Sequence, residues 1–240
     1  PARKAPEAHK SSGGYARVMV FGGLDGIITT FAVVAAAAGG LGSDVSAHIV
    51  LIFGVANLIA DGFSMGFGEF ISGRTEQDYI RAERQREEWE MDNFPDGEKE
   101  EMIEIYEKKG LPRADAIKVV DLLATRPSLF VDVMMVEELG LVGDGDESKT
   151  ETLKNAGVMF GSFMLFGAVP LLAYTPGKSS GAVFGVSIAL TCVTLFILGC
   201  LKGKFTSSGI LKSGAMMLLN GSIAAGISYG AAALIDVIFG

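Results

Sequence analysis

The stretch Ala47–Trp89, AHIVLIFGVANLIADGFSMGFGEFISGRTEQDYIRAERQREEW, is written for two solvents. Up to Ser72 it is apolar, and its only acids are Asp61 and Glu69. From Arg74 onward, charged and amide side chains dominate. No proline interrupts the passage, so one helix is expected to run from the apolar half into the charged half. About 20 apolar residues cross the roughly 30 Å of hydrocarbon in a bilayer. The first half therefore reads as a membrane span, and the second opens a water-exposed insert.

Other stretches meet the same length test. With about Ala47–Ser72, they are about Val18–Gly40, Ala156–Tyr174, Gly181–Leu201 and Gly214–Phe239, which makes five spans. An odd number puts the termini on opposite sides. Arg3, Lys4, Lys10 and Arg17 precede the first span, and Lys202, Lys204 and Lys212 join the fourth to the fifth. The connection Gly39–Ser46 has no base, and the one near Gly177 has only Lys178. Basic residues favour the cytosolic side, so the N-terminus and the insert are expected in the cytosol and the C-terminus on the far side.

Composition supports this division. The 240 residues are 49% hydrophobic, with a mean hydropathy of +0.39 and a net charge of −8. Arg74–Lys154 holds 22 acids and 12 bases, a net of −10, while the rest holds 6 acids and 8 bases, a net of +2. The expected fold is all-α: a polytopic membrane protein with five transmembrane helices and a helical cytosolic domain between the second and third. Its parts are residues 1–72, 73–154 and 155–240. Glycine pairs four residues apart, at 22/26, 62/66, 157/161, 181/185 and 226/230, suit close helix packing. Cys192 and Cys200 are eight residues apart on one helix. That is about 12 Å of rise, which excludes a disulfide between them. There is no Walker, Rossmann or EF-hand pattern and no signal-peptide pattern.

The insert reads as a series of helices. Asn93-Phe94-Pro95-Asp96 stops the long one, and Asp96 is expected to cap the next, which Gly110 ends. Pro112 opens a third, Pro127 follows its end, and Ser128–Leu139 forms the last before Gly140. Asp144-Gly145-Asp146 is a flexible return to the membrane.

Acids inside the spans are few: Asp25 in the first, Asp61 and Glu69 in the second, and Asp236 near the end of the fifth. A central carboxylate costs roughly 2.5–3.5 kcal/mol on insertion scales, so it normally faces a cavity or a partner. Asp61, Met65 and Glu69 are four apart and share a helix face. Counting from the cytosolic edge, Asp25 and Met65 fall at similar depth, with Glu69 nearer the mouth and Asp61 deeper. The four form a possible ion ladder. The competing reading is structural, with Asp25 and Asp61 engaged by hydroxyls such as those of Thr29 and Thr30.

In the insert, Glu87 and Glu90 are three apart on one helix, and Glu98 and Glu101 are three apart on the next. Met134 and Glu138 are four apart on the last. These spacings stack each pair on one face. Brought together, they would enclose five carboxylates and a thioether, a donor set that suits Fe2+ and its neighbours better than Mg2+ or Ca2+. A solvated acidic face is the competing reading, and Glu88, Glu100, Glu104, Glu107 and Glu137 are expected to be only that. Carboxylate di-iron enzymes use a Glu-x-x-His pattern, and the insert has no histidine, so no enzyme and no catalytic cofactor are expected.

Tyr15–Thr30 (YARVMVFGGLDGIITT), Asn57–Arg74 (NLIADGFSMGFGEFISGR) and the insert's ending VMMVEELGL resemble the vacuolar iron transporter family, over about Gly14 to Gly240. With its insert, the chain is similar to the plant vacuolar type. The resemblance implies a homodimer of five-span protomers in the vacuolar membrane, exchanging cytosolic Fe2+ for protons. It implies translocation roles for Asp25 and Met65. It implies metal-binding roles for Glu87, Glu90, Glu98, Glu101, Met134 and Glu138, a site expected to accept Zn2+, Co2+, Ni2+ or Mn2+ as well. Glu69 and Asp61 join the pathway from helix-face geometry alone, and Met135 stays open as an alternative to Met134. The expected partners are Fe2+, protons, membrane lipid and a second copy, with no nucleic acid. A proton-coupled transporter of another divalent ion such as Mn2+, or a membrane scaffold, are the alternative functions.

Overall fold

The computed structural model describes residues 13–41, 45–142, 149–175, 181–205 and 209–239. Arg3, Lys4, Lys10, Lys178 and the Asp144-Gly145-Asp146 return lie outside them. The described residues form α1 (Gly13–Leu41), α2 (Ala47–Asn93), α3 (Pro95–Lys108), α4 (Arg113–Ala124), α5 (Pro127–Glu137), α6 (Lys149–Gly167), α7 (Val169–Leu172), α8 (Gly181–Phe205) and α9 (Ile210–Phe239), and no strand. Five stretches are long and apolar enough to cross a membrane: α1, α2, α6 with α7, α8 and α9. The chain is an all-α, multi-pass membrane protein. Cys192 and Cys200 are free thiols.

The expected passage between solvents is one helix: α2 runs unbroken for 47 residues. At 1.5 Å per residue that is about 70 Å, more than twice the thickness of the hydrocarbon. The third span differs from expectation. Its helix starts at Lys149 and breaks at Ala168, just before Pro170. Proline has no N–H to donate, and its ring crowds the carbonyl four residues back. The buried Ser187 hydroxyl donates to the Pro170 carbonyl at 2.8 Å, which ties the break to α8.

Two compact units emerge. The first comprises residues up to Phe70 and from Leu153 onward. In it α8 packs along α9, and α1 packs against α9, α8 and α7. Phe31, Val34, Val50, Leu58, Phe163 and Leu171 form one buried cluster, and Ile27, Leu195, Leu198 and Met217 form another. Close approach at Gly26 depends on the missing side chain, since a Cβ there would stand 3.0 Å from Phe163 Cα. A Cβ at Gly22 or Gly66 would also crowd α6, at 2.8 and 2.9 Å, and one at Gly62 less so, at 3.2 Å from side chains, whereas Gly157, Gly161, Gly185, Gly226 and Gly230 face open space.

The second unit is Ile71–Thr152. Helices α3, α4 and α5 close around Met102, Ile103, Ala116, Val120, Phe130 and Met134. Gln77 Nε2 donates to Thr152 Oγ1 at 2.8 Å in a buried bond that ties the unit's two chain ends together. Asp96 does not cap α3. Phe94 holds the cap position without a side-chain bond, Pro95 opens the first turn, and Asp96 lies within it. Proline suits that turn because its absent N–H would have no helical partner there. Gly110, at φ +101°, ends α3 as expected, with Leu111 N bonded to Tyr106 O at 3.0 Å.

Candidate metal centre and membrane carboxylates

The end of α2 supplies Glu87 and Glu90, the start of α3 supplies Glu98 and Glu101, and the C-cap of α5 is Glu138. One carboxylate oxygen from each of Glu87, Glu90 and Glu98 lies within 4.8 Å of the others, and the same holds for Glu98, Glu101 and Glu138. The five acids thus form two triads that share Glu98. Glu87 and Glu98 are 3% and 6% exposed, and each has an Oε2 atom buried without a hydrogen-bond partner.

Such crowding disfavours ionisation. Burial, followed by the charges of Glu138, Glu98 and Glu90, pushes Glu87 up to about 7. Burial, followed by Glu101, Glu90 and Glu138, pushes Glu98 up to about 7. Burial and then Glu101, which also shares a hydrogen bond with it, raise Glu138. Glu138 sits at the negative end of α5, where the helix dipole favours a cation over an anion. Glu98, in the first turn of α3, has the favourable end of its dipole, but that does not offset burial among like charges.

The five glutamates expected to be bystanders have a different environment. Glu88 pairs with Arg84, Glu104 with Lys108, and Glu137 with Lys109. Arg113 holds Glu100 at 2.5 Å and Glu107 at 2.8 Å. Every glutamate expected to be a bystander therefore has a cation. Of the five proposed ligands only Glu90 does, through Arg86 at 3.1 Å. Among the described residues no ion pair reaches Glu87, Glu98, Glu101 or Glu138. With Arg86 on Glu90 as their one cation among the described residues, the two triads can hold divalent cations, or protons in their absence.

Met134 is fully buried, within the cluster that includes Met102 and Phe130. Its tie to Glu138 is a main-chain bond, Glu138 N to Met134 O at 2.9 Å. Met135 is also buried, at 1% exposure.

In the membrane unit, Asp25 on α1 is half-buried and within electrostatic reach of Asp61 on α2. The Thr29 hydroxyl donates to the main-chain carbonyl of Asp25 at 2.8 Å rather than to its carboxylate. Thr30 is buried, with no partner for its hydroxyl. Asn57 Nδ2 donates to Asp61 Oδ2 at 2.8 Å. Met65 packs against the cluster around Phe31 and Leu58. Glu69 pairs with Arg17, Nη2 to Oε1, at 3.6 Å. Sequence reasoning missed Asn57, although its four-residue step from Asp61 is the ordinary spacing of a helical pair. It also missed the Arg17 pairing, which joins side chains of two different helices far apart in the chain.

A sequence model of the VIT family matches residues 16–233. A vacuolar iron transporter of Toxoplasma gondii is 44% identical over 238 residues, covering 96% of this chain and 77% of that protein. One of Plasmodium falciparum is 40% identical, covering 92% and 82%. Vacuolar iron transporter 1 of Arabidopsis thaliana is 32% identical, covering 93% and 87%.

Proposed function

This chain belongs to the VIT family, and from that premise we propose that it moves Fe2+ across a membrane, capturing the ion first on the carboxylates around Glu98. The division of charge in the insert carries this reading. Five glutamates with no required role are paired with Arg and Lys, while four of the five triad acids have no ion-pair partner among the described residues. Crowded carboxylates without cations, two of them with a buried, unpartnered oxygen, support a cation site rather than a merely solvated face. Two divalent ions would balance the four charges, with Glu98 shared between them.

From the insert, the proposed route leads to Glu69 and then to Asp25 with Met65 and Asp61. Protonation of these carboxylates from an acidic lumen would release the ion and make the cycle an Fe2+/H+ exchange. The relatives are named for the vacuole, which makes its membrane the proposed location, with the insert on the cytosolic side. The open glycines of α6 and α9 leave room for a second copy, in keeping with a homodimer. The chain acts in this reading as a transporter and not an enzyme.

The test is Fe2+ uptake into proteoliposomes with and without an imposed pH gradient. Uptake that rises with the gradient and disappears in Asp25→Ala is expected. Normal uptake by Asp25→Ala would remove Asp25 from the route. A second cargo, Mn2+, is favoured by one observation: both triads offer only oxygen ligands, and hard oxygen donors suit Mn2+. Competition between Fe2+ and Mn2+ in the same vesicles separates the two. A scaffold would bind neither.

A further inference from the structure

Helix α2 carries Asn57, Asp61, Met65 and Glu69 at successive four-residue steps, which keeps them on one slowly turning face. Asp61 is held within its own helix by Asn57. Met65 is held by apolar packing. Glu69, in contrast, takes its partner from α1, where Arg17 lies eight residues, or about two turns, before Asp25. We infer that Arg17 is a tethered cation that occupies Glu69 until an incoming metal ion displaces it, and so sets the rate at which ions enter and leave the α2 carboxylates. The inference rests on the transport reading above and adds a residue to it.

The geometry suits a displaceable partner rather than a clamp. Arg17 and Glu69 meet through one N–O approach of 3.6 Å, with no hydrogen bond, and their side chains are 78% and 21% exposed. Exposed pairs of this kind contribute little to stability and weaken with salt. A divalent ion brings twice the charge to the same carboxylate at shorter range, so it wins the competition. A vacant Glu69 would be a partly buried carboxylate without a counter-charge. The returning guanidinium restores that charge when the ion moves inward, and its competition shortens the ion's stay. Arg17 thus acts on capture and release together.

Four variants of the full-length protein in proteoliposomes, with Fe2+ as the probe and an imposed pH gradient, test this. Arg17→Gln is expected to lower KM for Fe2+ several-fold and to lower maximal uptake several-fold, because capture tightens and release slows. Arg17→Lys, which keeps the charge, recovers part of both changes. In a Glu69→Gln background, Arg17→Gln has no further effect, since the contested carboxylate is gone. Unchanged KM and rate in Arg17→Gln, or the same loss with and without Glu69, overturns the inference and leaves Arg17 a surface charge. A fall in rate with unchanged KM that Arg17→Lys does not relieve also overturns it, since that is the mark of damaged folding. If the unaltered protein takes up no Fe2+, the transport reading fails and this inference fails with it. Normal uptake indifferent to Arg17 refutes the inference alone.

Discussion

The carboxylates of Glu87 and Glu98 approach within 4.8 Å of each other across the turn between α2 and α3, and each buries an Oε2 that no donor reaches. Two such groups cannot both ionise cheaply without a cation between them. That arrangement gives the insert a pH dependence that is unusual for carboxylates.

The sign runs opposite to that of a salt-bridged acid. Both groups are pushed from the ordinary 4.5 up to about 7 in the folded chain. Between those values the folded state holds protons that the unfolded chain has released, so stability falls as pH rises and the full penalty is present above about pH 7. With a chelator present, unfolding of the insert should therefore occur at lower temperature at about pH 8 than at about pH 5. Trp89, the single tryptophan, neighbours the site and edges onto Phe94 at 5.7 Å, so its fluorescence reports the transition. Saturating Mn2+ should raise the melting temperature most at the higher pH, because the ion binds only the folded, deprotonated site. A melting temperature that rises with pH in the chelated protein would contradict the described burial.

Glu98 belongs to both triads, so its removal should weaken both. Glu98→Gln is expected to lower metal affinity at least about tenfold, or about 1.4 kcal/mol, by calorimetry on the full-length protein. The same substitution should stabilise the metal-free insert near neutral pH, since a repelling charge is gone. Glu100→Gln is the contrast. It loses only an exposed pair with Arg113, costs at most about 1 kcal/mol, and should leave affinity unchanged. Equal effects of the two substitutions would mean the triads have no special standing among the acids.

Much of this site is readable in the chain because the helix supplies the geometry. Glu87 with Glu90, and Glu98 with Glu101, are brought to common faces by a three-residue step alone. The meeting of those faces needs only the break at Asn93-Phe94-Pro95. The sorting of the other acids is readable only in part: Glu88 with Arg84 and Glu104 with Lys108 are four-residue helical pairs, whereas Arg113 reaches Glu100 and Glu107 only once α4 has folded back on α3. Pro170 was visible in the third span, but the bond that ties its carbonyl to Ser187 of α8 appears only in the folded chain. Asp96 misled because the capping preference of aspartate competes with proline's preference for the first helical turn, and Pro95 won.

The glycine-rich spans permit a prediction that separates packing from composition. A Cβ at Gly26 would meet the main chain of Phe163, at 3.0 Å from its Cα and 3.1 Å from its carbonyl carbon. Backbone cannot swing aside as a side-chain tip can. Gly26→Ala should therefore push α1 from α6 at a cost of about 1–3 kcal/mol, seen as a lower melting temperature in detergent. Gly185 on α8 has nothing within 4 Å of a new Cβ, so Gly185→Ala should be neutral or slightly stabilising, as alanine favours helix. Similar losses from both would refute the described α1 and α6 contact.

Met134 serves two readings that one pair of substitutions can part. It is fully buried among Met102, Phe130 and Val120, so Met134→Ala should cost about 2–5 kcal/mol whatever its thioether does. Met134→Leu nearly conserves volume and should cost less than about 1.5 kcal/mol, but it removes the sulfur. If the thioether reaches the ion, the leucine variant binds Fe2+ or Co2+ more weakly while Mn2+, the harder ion, is almost unaffected. If Met134 only fills the core, the leucine variant keeps the affinity of every ion. The main-chain bond from Glu138 N to Met134 O fixes only the backbone at the end of α5, so a shifted Glu138 carboxylate would weaken every ion alike. A selective loss for the softer ions therefore identifies sulfur as a ligand, and an equal loss for all of them identifies displacement of Glu138.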